Sequence, residues 1–152
     1  MELIQTILGF LHLLATVIWI GGMGFNIFVL RPYLGLVAPQ QRLKLVRAVL
    51  QRFIYIAWLC IAILFLTGIF IANPSNNLYW LVLITKHGVV IVMVIIVGII
   101  SLILFPKLKA LPTETGKNEE AVNILGKIVL LVKLNLALGF VVLFLTAILE
   151  EI

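Results

Sequence analysis

At 152 residues, with 64% hydrophobic side chains and a mean hydropathy of +1.28, the chain is far more apolar than the roughly half-apolar composition of soluble domains. A soluble fold is excluded. The net charge of +5 does not point to nucleic acid, because the basic residues sit mainly in two segments that flank apolar runs, and the single cysteine, Cys60, rules out an intramolecular disulfide.

A bilayer core of about 30 Å takes about 20 apolar residues per helix, and four such runs follow one another. The pattern predicts one all-α domain over the whole chain, an integral membrane four-helix bundle. The first helix is expected over about 3–30, with Arg31-Pro32 as its stop, since proline disfavours helical geometry in the residue before it. Glu2 in place of a basic start, and the length of the run, argue for a retained helix rather than a cleaved signal. The second is expected over about 53–72, ending at the uncharged turn Asn73-Pro74-Ser75-Asn76-Asn77. From about 40, Leu43, Val46, Val49 and Leu50 recur at helical spacing among basic residues, which predicts an extension of this helix beyond the membrane, against anionic headgroups. The third is expected over about 78–105, ending at Pro106, and the fourth over about 123–149 after a solvated loop at 113–120.

Arg31, Arg42, Lys44, Arg47 and Arg52 lie between the first two runs, and Lys107, Lys109 and Lys117 between the last two. The positive-inside rule makes both segments cytoplasmic and puts the N- and C-termini outside, in the inner membrane of a prokaryote. Tyr33, Tyr79 and Trp80 are expected as interfacial anchors.

Ionisable groups within a membrane are costly, and each raises a functional question. The candidates are His12, Lys86, His87 and Lys133. His12 and His87 each stand nine residues into helices that run in the same direction, roughly 13 Å below their ends. Two imidazoles at one depth are what a haem held between helices requires; a hydrogen-bonded packing pair is the bland alternative. Lys86 lies about 100° around its helix from His87, where it would neutralise a propionate or substrate carboxylate, or act as a ligand itself. On the first helix His12, Thr16, Trp19, Met23 and Asn26 fall within about 40° on one face, either a cofactor path or the ordinary bundle-facing side. Asn135 shares a face with Gly139 and Thr146, which suits an interhelical hydrogen bond or a cofactor contact. Met23, Met93 and Cys60 are soft ligands for copper, though Met23 is roughly 16 Å along the helix from His12.

The segment Leu11-His12-Leu13-Leu14-Ala15-Thr16-Val17-Ile18-Trp19-Ile20-Gly21-Gly22 resembles the first helix of the copper resistance protein D (CopD) family and that of HemJ-type protoporphyrinogen oxidases. Arg52-Phe53 leading to Thr67-Gly68, Trp80 followed by Lys86, and Asn135 followed by Gly139 extend the resemblance over nearly the whole chain. It implies a four-helix membrane domain related to haem-b cytochromes, with functional roles on His12 and Lys86. With two histidines in the chain, one bis-histidine haem b is the maximum. The leading expectation is a cytochrome-like protein that exchanges electrons with a quinol or a redox protein, with His12 and His87 on the metal and Lys86, Trp19 and Asn135 around the cofactor. A HemJ-type oxidase and a CopD-like copper transport component are the alternatives, and a homo-oligomer stays open in each.

Overall fold

The computed structural model describes residues 2–71, 77–112 and 119–151. Most of the expected turn at 73–77 and of the loop at 113–120 lies outside them. The described residues contain four long helices and no strand: α1 (Glu2–Gly24), α2 (Pro39–Ile71), α3 (Asn77–Gly98) and α4 (Glu119–Glu151). Each is long and apolar enough to cross a bilayer, where a helix is favoured because it satisfies all its own backbone polar groups. Phe10, Phe28, Phe65, Phe70, Leu102 and Phe144 are all more than half exposed; in water that surface would be prohibitive, and in lipid it is the solvated face.

The first two helices pack extensively on each other, as do the last two, while the α1–α4 and α2–α3 contacts are lighter. The ring order is therefore α1–α2–α3–α4, which sets α1 diagonal to α3. Ala15, Trp19, Ile20 and Met23 of α1 are buried against Met93, Ile96 and Val97 of α3 and Asn135 and Leu136 of α4, so the stripe through Trp19 and Met23 faces inward. Gly139 lets these helices converge: a Cβ there would lie 3.2 Å from Ile20 Cγ1 and 3.6 Å from Met93 Cε.

Pro32 and Pro106 do not stop their helices. After Gly24 the chain makes a π-helical stretch, Phe25–Leu30, and resumes as α-helix over Arg31–Tyr33 before a 3-10 turn at Leu34–Leu36. After Gly98 it does the same, with a π-helical stretch at Ile99–Leu104 and α-helix over Phe105–Ala110. In each case the residue before proline closes a wide bond, Arg31 N–H to Asn26 O and Phe105 N–H to Ile100 O. Proline then occupies the first turn of the resumed helix, where its missing N–H and fixed φ are tolerated. A helix can thus continue through a proline if the preceding turn is widened. The order glycine, six π-helical residues, one residue, proline is identical in both places, so α1 and α3 are built to one plan.

At the basic end, arginines clamp backbone carbonyls. Arg42 Nη2 donates to Val37 O at 3.1 Å, holding the α1–α2 connection, and Arg47 Nη2 donates to Leu111 O at 2.8 Å, tying α2 to the end of the segment beyond α3. A second tie between α2 and that segment runs from Trp58 Nε1 to Ser101 Oγ at 3.2 Å. A charged donor to a carbonyl contributes about 1.5–3 kcal/mol. Arg47→Ala is expected to lower stability by about 1–2 kcal/mol after partial replacement by water, read as a fall in the unfolding midpoint in detergent. An unchanged midpoint would show that the Arg47 bond adds nothing measurable to the tie between α2 and that segment.

Candidate functional site: two wired imidazoles and a buried polar pair

The first cluster lies toward the ends of α1, α2 and α3 opposite the basic end. His12 of α1 is half-buried and its Nδ1 lies 2.7 Å from Thr67 Oγ1 of α2. Thr67 is 4% exposed, and its hydroxyl donates to Ile63 O at 2.7 Å. With that single proton engaged, the oxygen can only accept from His12, so the neutral imidazole carries its hydrogen on Nδ1 and a free lone pair on Nε2. Gly68 packs beside the ring, its would-be Cβ 3.5 Å from His12 Cε1.

His87 of α3 follows the same logic. Its Nδ1 is 2.7 Å from Leu83 O, and a carbonyl only accepts, so Nε2 again holds the lone pair. Its side chain lies on the exposed side of α3, whereas that of Lys86 is half-buried. Lys86 also stands at the same interval before Gly98 as His12 does before Gly24, and so matches it in the shared plan of α1 and α3.

Trp19 and Asn135 do not join this cluster. They are 2% and 1% exposed and line a small cavity deeper in the bundle, together with Met23. Trp19 Nε1 and Asn135 Oδ1 have no hydrogen-bond partner there. Met23, Met93 and Cys60 are buried as well, and among the described residues no three His, Cys, Asp or Glu side chains converge as a metal site. Lys133 is exposed on α4, as is Arg52 on α2.

The family model described as Copper resistance protein D matches residues 47–149. The chain belongs to the copper resistance protein D family. Comparisons with curated proteins and with solved structures return no match. Within this CopD-family chain, Thr67, Lys86, His87, Trp80 and Asn135 fall inside the matched segment and His12 and Trp19 precede it. Membership fits the expectation drawn from the apolar motifs, and it makes the chain an integral membrane protein of a copper-resistance family.

Reasoning from the sequence missed Thr67 as a site residue. Thr67-Gly68 stood out only as part of a resemblance, yet a hydroxyl next to a glycine in an otherwise apolar run is the signal that a ring packs and bonds there. The helical angle between Lys86 and His87 separates them, with the lysine more inward.

Proposed function

We propose that this CopD-family protein binds one haem b in the half of the bundle that holds His12, and exchanges electrons there with a quinol or a redox protein. The observation that carries the reading is the wiring of the two imidazoles: each commits Nδ1–H to a fixed oxygen and leaves the Nε2 lone pair for a metal. Metal-ligating histidines are oriented in this way by an outer partner. His12, half-buried on α1, and His87, on the exposed side of α3, would hold the haem iron, with the half-buried Lys86 as the alternative ligand on α3. Haem b, when bound, supplies one-electron chemistry. Thr67 and the Leu83 carbonyl hold the two rings in register, Lys86 supplies positive charge suited to a propionate, and the apolar flanks of α1 and α3 exclude water. In this reading the basic loops are cytoplasmic and the haem lies toward the outer face.

The experiment is an absorption spectrum, oxidised and reduced, of the purified protein after expression with ample haem, beside His12→Ala, His87→Ala and Lys86→Ala. The expected result is a reduced haem spectrum in the wild type that is lost in both histidine variants and shifted in the lysine variant. A wild type without haem bands ends the proposal. Bands that persist in His87→Ala and vanish in Lys86→Ala would move the second ligand to the lysine.

Family membership favours a second reading, in which the same two Nε2 atoms receive copper as cargo, since imidazole suits copper as well as iron. Copper retained in proportion to protein without haem bands, and lost in His12→Ala, would select it.

A further inference from the structure

The imidazole cluster makes no use of a recess at the opposite, basic end. A groove of ≈ 70 Å³ lies there between α1, α2 and α4, lined by Leu30, Val49, Phe53 and Val129 among other apolar side chains. Of the described residues that line it, Asn26 and Arg31 alone carry polar side chains. The π-helical stretch beyond α1 brings Asn26, Ile27 and Leu30 to the wall, and Arg31, whose backbone N–H closes the wide bond to Asn26 O, follows at its end. Phe25, Phe28 and Val29 of the same stretch are exposed. The groove therefore lies at a level where this helix meets lipid.

By volume alone the space would hold several waters, since one needs about 10–15 Å³. Each water also needs about two to four polar partners, and the Asn26 amide already donates to Gly22 O at 2.8 Å. Hydrocarbon suits such a wall. The charges at this end set the rest of the occupant's chemistry, because the sequence from Arg31 to Arg52 holds five basic residues and no acidic one. Glu119 and Glu120 begin α4 at the same end, and neither lines the groove. Arg42 and Arg47 are engaged with backbone carbonyls, whereas the Arg31 guanidinium is exposed and has no hydrogen bond or ion pair to a described residue. An unengaged arginine on an apolar groove is complementary to a phosphate joined to a hydrocarbon chain: guanidinium binds phosphate bidentately, and basic pockets between membrane helices take anionic headgroups.

We infer that this groove is a binding site for one anionic phospholipid from the leaflet at the basic end. An acyl chain follows the groove toward Phe53, and the phosphate rests on Arg31. The lipid fills the space between α1 and α4, two helices that share light contact. The site is separate from the imidazole cluster, because Asn26 already stands roughly 20 Å along the helix from His12.

The test is native mass spectrometry of the full chain released from nanodiscs that hold equal amounts of phosphatidylglycerol and phosphatidylcholine. The expected result is one retained phospholipid per chain, with phosphatidylglycerol preferred. Arg31→Gln is expected to lower that preference about fivefold, while Lys107→Gln, exposed at the same end but outside the groove lining, leaves it unchanged. Val129→Phe, which places a ring in the groove, is expected to lower retention of both lipids. A wild type that retains no lipid, or retains both equally, overturns the proposal whatever the variants do. A preference that survives Arg31→Gln, or falls as far in Lys107→Gln, overturns the seat of the phosphate. Retention unchanged in Val129→Phe overturns the seat of the chain. Displacement of the lipid by inorganic phosphate overturns the proposal as well, since the site would then take the anion without its hydrocarbon.

Discussion

Thr67→Val is expected to weaken metal or haem retention by about 10–100-fold, the usual cost of losing the outer partner of a ligating histidine. Valine keeps the shape of threonine at a position 4% exposed, so the α1–α2 packing survives. What disappears is the oxygen that accepts from His12 Nδ1 at 2.7 Å. The ring then either leaves a donor unmatched or moves its hydrogen to Nε2, and in the second case the lone pair needed for ligation is gone. Titration of the purified protein with haem, and separately with copper, reads the change. Thr67→Ser restores the hydroxyl and is expected to recover most of the affinity. Equal affinity in the wild type and the valine variant would remove His12 Nε2 from the proposed site.

Gly22→Val is expected to destabilise the bundle by about 2–3 kcal/mol, at the upper part of the range for overpacking a filled interior. A Cβ at this position would occupy the space of the Phe53 ring, and valine adds two further methyl groups without the helix-propensity gain that alanine brings. The neighbouring Gly21 provides the control. It is exposed, with nothing near its would-be Cβ, and Gly21→Val is expected to change stability by no more than about 0.5 kcal/mol. Thermal unfolding in one detergent compares the two. Phe53→Leu in the Gly22→Val background is expected to recover part of the loss, since a smaller side chain vacates the contested volume. Similar midpoints for the two valine variants would show that the ring moves aside freely into the cavities it borders.

Much of the architecture was legible in the residues. Four apolar runs separated by polar segments gave four helices, and the apolar spacing among Leu43, Val46, Val49 and Leu50 anticipated that α2 begins at Pro39, ahead of the apolar run that starts at Phe53. The stripe from His12 to Asn26 marked the inward face of α1, because a helical period holds over any regular stretch. Pro32 and Pro106 were misread as stops. Local propensity describes proline in a regular helix, and here the turn before each proline is widened, which depends on hydrogen bonds five residues apart rather than on any single residue. The likeness of α1 and α3 was hidden for a related reason: it resides in the placement of Gly24 with Pro32 and of Gly98 with Pro106, while the apolar residues between them differ. The Thr67 bond to His12 and the burial of Trp19 and Asn135 around one cavity are products of tertiary packing. Neither has a spacing within one helix that could reveal a partner on another.

The two wide turns also divide the bundle mechanically. They lie at the same level on two diagonal members, whereas the other two members, α2 and α4, run 33 residues each without a break. Two continuous members thus stand beside two interrupted ones, and both interruptions fall at the end that carries the arginines, so the half with the histidines is framed by regular α-helix on all four members.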